Sequence, residues 1–218
     1  MTRAGLERLC GVYVLCDDDP RWKNGVREQL EGALAGGARV AQLRLKHTPD
    51  GAALELARWA AARARAAGAL LFVNDRFDLA LLAGADGVHL GQDDLAPERL
   101  PADARARLLV GLSTHTAEQL EGSVARPVDY VAFGPVFATG SKTSEYEPRG
   151  LAALRAAVAR AGRPLVAIGG ISAANVAAVR GAGAAAAALI SAVADAGDPA
   201  EATRYLQARF AEFPPGSR

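Results

Sequence analysis

The sequence predicts a single-domain (β/α)8 TIM barrel, and three observations carry that expectation. Short apolar runs recur along the whole 218-residue chain. Segments with helical period separate them. Eight such pairs use up a chain of this length, because a lean barrel of this kind takes roughly 200 residues. The runs are near-continuous rather than alternating, which is the pattern of strands buried on both faces of a parallel sheet. An open doubly wound sheet is the architectural alternative, but it usually has about five or six strands.

Taken in order, the predicted strands are GVYVLC (11–16), ARVAQLRL (38–45), LLFVND (70–75), GVHLG (87–91), LLVGLS (108–113), YVAFGP (130–135), PLVAIGG (164–170) and the alanine-rich 184–191. The first helical segment, 21–36, carries Trp22, Val26, Leu30 and Leu34 at four-residue steps. The second, 51–66, gathers Leu54, Leu56, Trp59 and Ala60 on one broad face. Further helical segments are 76–82, 117–125, 150–161, 173–181 and 199–212, and a fourth unit within 96–106 is kept short by Pro97 and Pro101. Gly36-Gly37, Gly68, Gly84 and Gly181 stand where helices would end, as C-terminal capping asks. No Pro- or Ser-rich linker divides the chain, so one domain is read over 1–213, with PPGSR (214–218) as a disordered tail.

Composition narrows the function classes. A formal net charge of +1, with 22% charged and 50% hydrophobic residues, argues against a nucleic-acid or anionic-membrane binder. The longest apolar run, 184–190, falls well short of a membrane span. MTRAGLERLC lacks the apolar segment of a secretory signal, which predicts a cytoplasmic protein. In that compartment Cys10 and Cys16 read as packing residues rather than a disulfide. The apolar helix faces allow a homodimer as readily as packing within the barrel. Only Lys23, Lys46 and Lys142 are lysines among 25 basic residues, so each lysine merits inspection.

The informative residues fall at the C-terminal strand ends, where barrels of this fold build their sites. Strand two ends in Gln42, Arg44 and Lys46, which alternation puts on one side; the trio is either a basic cradle for an anion or a strand end reaching solvent. Strands three and four end in Asn74-Asp75 and in His89 to Asp94. Asp75 and Asp94 are either helix caps or a carboxylate pair whose repulsion a divalent cation such as Mg2+ relieves. His89 reads as a buried hydrogen-bonding residue, since no second His has zinc spacing. Strand five ends in Ser113-Thr114-His115, whose hydroxyls suit a ligand or a cap. Strand six leads into the hydroxyl-rich loop Ala138-Thr139-Gly140-Ser141-Lys142. Gly169-Gly170 and Ile190-Ser191 end strands seven and eight, where this fold recurrently binds phosphate. Two separate anion regions at one barrel mouth match one substrate with a diphosphate and another with a phosphate.

In this order, the stretches AQLRLK, FVNDRFDLALLAGADGVHLGQDD, VGLSTHT, DYVAFGPVFATGSK, PLVAIGGI and ALISAV closely resemble thiamine-phosphate synthase, over residues 12 to about 200. The resemblance implies a (β/α)8 enzyme that joins 4-amino-2-methyl-5-hydroxymethylpyrimidine diphosphate to a thiazole phosphate. The products would be thiamine phosphate and pyrophosphate, formed by dissociative, Mg2+-assisted departure of diphosphate, with loss of CO2 where the thiazole is carboxylated. It assigns Gln42, Arg44, Lys46, Asn74, Ser113 and Lys142 to the pyrimidine diphosphate, with Arg44, Lys46, Ser113 and Lys142 as catalytic groups. Asp75 and Asp94 become the Mg2+ ligands. Thr139, Ser141, Gly170, Ile190 and Ser191 hold the thiazole phosphate.

The chain departs from the family pattern at Gly140-Ser141, at His47, and at Ala184-Ala185-Ala186. Three rival readings stand beside this one. A thiazole tautomerase on the same barrel is opposed by Gly134-Pro135, the Asp75/Asp94 pair and the full Gln-x-Arg-x-Lys run. A Schiff-base enzyme using Lys46 or Lys142 lacks a sugar-handling motif. A non-catalytic phosphate-binding barrel has no need of every charged mouth residue.

Overall fold

Residues 5–141 and 146–212 are described by the structure, a computed structural model. Eight parallel strands close into one barrel in sequence order, β8 pairing back onto β1. The strands are β1 (Gly11–Asp17), β2 (Val40–Arg44), β3 (Leu70–Asn74), β4 (Gly87–Leu90), β5 (Leu109–Thr114), β6 (Tyr130–Phe133), β7 (Leu165–Ile168) and β8 (Ala186–Leu189). The helices are α1 (Val26–Ala35), α2 (Asp50–Ala66), α3 (Phe77–Ala83), α4 (Ala102–Arg107), α5 (Ala117–Ser123), α6 (Gly150–Arg160), α7 (Val176–Gly181), α8 (Ser191–Ala194) and α9 (Pro199–Ala211). The expected barrel is therefore the observed one, and the expected tail at 214–218 lies outside the described residues. Among the described residues, no helix is long and apolar enough to cross a membrane.

Several helix ends differ from the periodicity. α1 starts at Val26 rather than 21, because Gly25 N–H donates to Glu28 Oε2 at 2.7 Å and fixes the first turn there. Trp22 stays in the preceding turn and packs on the barrel interior. α7 starts at Val176 rather than 173, because Asn175 Oδ1 takes the Ser172 N–H at 2.8 Å and holds 172–175 as a turn. β8 ends at Leu189, and Ser191 opens the short helix α8, which the apolar run concealed.

Strand alternation sorts side chains into two cores. Outward residues such as Val12, Val14, Leu43, Leu71, Val88, Val110 and Val131 pack against the helices. Cys16 belongs to this shell, and burial pushes its thiol up; Cys10 is also a free thiol. Inward residues fill the barrel: Tyr13, Val40, Phe72, Tyr130, Val166 and Ala188 share one cluster. The rings of Tyr13, Phe72 and Tyr130 lie with centroids 5.3 to 6.4 Å apart, and small residues make their room. A Cβ on Gly111 would lie 2.2 Å from the Tyr130 ring, and one on Gly87 would lie 2.3 Å from Phe72. The alanines of β8 serve the same end, since Ala188 pairs in register with Tyr13.

The close approach at Gly111 yields a prediction. Gly111→Ala overpacks the interior and costs about 1–3 kcal/mol, read as a lower urea midpoint at unchanged m-value. An unshifted midpoint would mean that Tyr130 does not fill that space.

Candidate active site

A cavity of about 880 Å3 opens at the C-terminal ends of the strands. It is lined by Arg44, Lys46, Asn74, Asp75, Asp94 and Ser113 on one side and by Thr139, Ser141, Gly170, Ile190 and Ser191 on the other. The expected site residues thus meet around one space, with two exceptions. Gln42 lies one inward step below Arg44, is 2% exposed and donates through Nε2 to the Tyr13 hydroxyl at 2.8 Å. Lys142 lies outside the described residues.

Each cation of β2 and its following loop is gripped by acids of β1 and β3. Arg44 Nη1 donates to Asp17 Oδ2 at 2.7 Å, and Asp17 is fully buried. Asp18 folds over the next turn, taking N–H groups from Lys46, His47 and Thr48 and the Thr48 hydroxyl at 2.7 to 2.9 Å. Burial would raise the Asp18 carboxyl, but those four hydrogen bonds outweigh it and hold it below the ordinary carboxylate range. Lys46 Nζ reaches Asp75 Oδ2 at 2.5 Å.

Asp75 sits in left-handed backbone, φ 63°, a conformation Asp tolerates better than most residues. Its N–H donates to the His89 carbonyl at 2.8 Å, which ties the end of β3 to β4. Asp75 and Asp94 both line this cavity, and their interaction drives their carboxyls in opposite directions. Burial raises Asp75, yet Asp94 and Lys46 carry it below normal, while burial and the Asp75 carboxylate push Asp94 up. Two neighbouring carboxylates are relieved by either a proton or a cation. Asp94 also accepts the Gly91 N–H at 2.7 Å, which stations it at the start of its loop.

The opposite wall is mostly backbone. Gly170 has φ 61°, and a Cβ there would lie 2.2 Å from the Ala138 carbonyl, so only glycine lets the β7 loop pack under loop six. Asn175 Nδ2 secures it by donating to the Gly170 carbonyl at 3.0 Å. At α8 the Ser191 and Ala192 N–H groups open a helix, where no intrahelical carbonyl reaches them. Thr139 Oγ1 accepts the Ser141 N–H at 3.2 Å. Arg21 donates to the carbonyls of Gly140 and Ser141, clasping loop six to the segment after β1. The Thr114 hydroxyl faces away and donates to Ala132, and Thr116 caps α5.

A family model described as thiamine monophosphate synthase matches residues 12–193. The chain belongs to that enzyme family. A thiamine-phosphate synthase of Anaeromyxobacter dehalogenans is 50% identical over 205 residues, 93% of this chain and 89% of that protein. One of Methanoculleus marisnigri is 47% identical over 200 residues, 92% of this chain and 95% of that protein. The solved thiamine phosphate pyrophosphorylase of Pyrococcus furiosus superposes with a TM-score of 0.85 at 34% identity, covering 95% of this chain and 98% of that one.

Within this thiamine-phosphate synthase scaffold, several mouth residues escaped the sequence reading. Asp17 and Asp18 position Arg44 and Lys46, and Arg21 clasps loop six. His115 and Tyr146 line the cavity as a stacked pair, centroids 4.4 Å apart. The acidic run Asp17-Asp18-Asp19 at the end of a strand was the available signal for the first two.

Asp18→Ala frees three backbone donors around Lys46 and is predicted to destabilise the fold by about 1–3 kcal/mol. The Asp18 carboxyl is depressed in the folded state, so its contribution is full above its unfolded value near pH ~4 and is lost as pH falls through the lower folded value. The gap in unfolding free energy between wild type and Asp18→Ala is therefore constant from pH 8 to 6 and closes in strong acid. A gap that widens in acid would contradict the assigned bonding.

Proposed function

We propose that the chain joins 4-amino-2-methyl-5-hydroxymethylpyrimidine diphosphate to 4-methyl-5-(2-phosphoethyl)thiazole, plain or carboxylated, giving thiamine phosphate and pyrophosphate. The observation that carries this reading is one cavity with two unlike anion walls: charged side chains at β2 to β4, and backbone N–H groups with hydroxyls at loop six, the β7 loop and α8. A diphosphate suits the first wall and a phosphate monoester the second, with the two reacting centres between them.

The chemistry asks for no protein nucleophile. The bond from the pyrimidine methylene carbon to the diphosphate oxygen breaks with its electron pair on oxygen. The ring amino group spreads the resulting positive charge. The thiazole nitrogen then supplies its lone pair to that carbon, and a carboxylated thiazole also loses CO2. What the chain contributes is fixed charge where negative charge develops. Arg44, buttressed by Asp17, and Lys46, held by the Asp18 turn, face the departing oxygens together with Ser113, and the family resemblance adds Lys142 to them. Thr139, Ser141, Gly170, Ile190 and Ser191 grip the acceptor's phosphate.

The Asp75 and Asp94 pair fits a hard divalent cation. Its donors are carboxylate oxygens lining the same wall of the cavity, and the Asp75 carboxyl is held below its ordinary range. Mg2+ completes its shell with water and phosphate oxygens rather than an all-protein cage, so two carboxylates suffice. When bound there it would neutralise charge on the leaving diphosphate.

With both phosphorylated precursors and Mg2+, thiamine phosphate and pyrophosphate are expected in equal amounts, and neither when one precursor is withheld. Arg44→Ala, Asp75→Ala and Lys142→Ala are each expected to lower turnover by about 10^2–10^3 with unchanged circular dichroism. Consumption of the thiazole alone without pyrophosphate would support the tautomerase reading instead. Near-normal turnover in Arg44→Ala or Asp75→Ala would refute the charged-wall account.

A further inference from the structure

A chain of buried hydrogen bonds runs beneath the cavity through five strands. Gln42 Nε2 meets the Tyr13 hydroxyl at 2.8 Å, Tyr13 meets the Tyr130 hydroxyl at 3.0 Å, Tyr130 meets His89 Nδ1 at 2.8 Å, and His89 Nε2 meets Ser113 Oγ at 2.9 Å. Gln42, Tyr13 and Tyr130 are each at most 2% exposed. One end of the chain, Ser113, lines the cavity, and so does His89. The other end leaves Gln42 Oε1 buried without a hydrogen-bond partner.

Counting protons fixes what such a chain can do. Burial raises both phenols far above their ordinary range, so each keeps its proton. A phenol with two partners gives one hydrogen bond and takes one, and so does a neutral imidazole. With the imidazole neutral, the chain therefore has only two directions. In one, Gln42 donates to Tyr13, Tyr13 to Tyr130, Tyr130 to His89 Nδ1, and His89 Nε2–H to Ser113, whose own proton is then free for the cavity. In the other every bond reverses, Ser113 spends its proton on His89, and Gln42 is left with buried N–H groups. The first direction leaves the Gln42 carbonyl oxygen and one amide hydrogen unpaired, and the second leaves both amide hydrogens, one buried donor more. Unpaired buried donors are the rarer and costlier defect.

We propose that Tyr13, Tyr130 and His89 are positioning residues: a directional relay that holds His89 as the Nε2–H tautomer and so makes the Ser113 hydroxyl a donor to an anion in the cavity. The same direction leaves Gln42 an acceptor. The two ends are set together: a Ser113 hydroxyl free to donate goes with a Gln42 carbonyl free to accept. What the ligands are rests on the reaction proposed above; the relay does not.

Two measurements test it. Long-range 1H–15N spectra of the ligand-free full-length protein at pH 7.5 should show His89 protonated at Nε2 alone. A Nδ1–H or doubly protonated ring would overturn the proposal. The second is a double-mutant cycle read as the dissociation constant of inorganic pyrophosphate with Mg2+. Ser113→Ala should weaken binding about tenfold or more, as loss of a hydrogen bond to a charged group does. In a Tyr130→Phe background, which keeps the ring and removes only the shared oxygen, the same substitution should cost threefold or less, because the hydroxyl is no longer aimed. Equal penalties in the two backgrounds would mean that Tyr130 is only structural. Should Tyr130→Phe fail to fold, Tyr13→Phe carries the same comparison from one bond further away. If wild type binds no pyrophosphate, the proposed reaction falls, while the His89 spectrum still decides the relay.

Discussion

The mouth of this barrel is governed by charge that has nowhere to go. Asp17, Asp18, Asp75 and Asp94 meet Arg44 and Lys46 across the tips of four adjacent strands, and Asp17 is fully buried. Unit charges about 4 Å apart interact with roughly 4 kcal/mol at an intermediate effective dielectric, so every group there is held in place by its partners. Two consequences follow for function. The cations are oriented before any ligand arrives, so the proposed charge separation would need little reorganisation. On the proposed reaction, a divalent cation would neutralise the Asp75 and Asp94 pair as it meets a multiply charged anion.

That arrangement depends on the barrel floor being rigid. Three aromatic rings occupy the interior at the level below the mouth, and glycine or alanine on neighbouring strands admits them. The hydroxyls of Tyr13 and Tyr130 are joined to Gln42 and His89 rather than left unmet. The polar groups of the site therefore stand on a packed, hydrogen-bonded layer, and a change in that layer is felt by Ser113 through His89. The far wall is built differently, from loops clasped by Arg21 and Asn175.

Strand positions were legible in the sequence because strands covered on both faces must be apolar throughout. The residues interrupting those runs at their C-terminal ends marked most of the cavity lining. Helix starts were less legible, since single side-chain bonds from Glu28 and Asn175 set them rather than apolar periodicity. α8 was hidden because Ala-Val-Ala reads the same in a strand as in a helix. The roles of Asp17 and Asp18 were not legible, because their partners lie 27 to 30 residues away and are found only once β1 and β2 pair. The bond between Tyr13 and Tyr130 was hidden for the same reason, its partners being 117 positions apart.

The central claim is that departing diphosphate is received by the charged wall at the tips of β2, β3 and β4. A crystal structure of the protein with Mg2+ and inorganic pyrophosphate tests it directly. The account predicts the anion against Arg44 and Lys46, with the metal between it and the carboxylates of Asp75 and Asp94. Pyrophosphate found only against Gly170 and Ser191, or outside the barrel mouth, would contradict it.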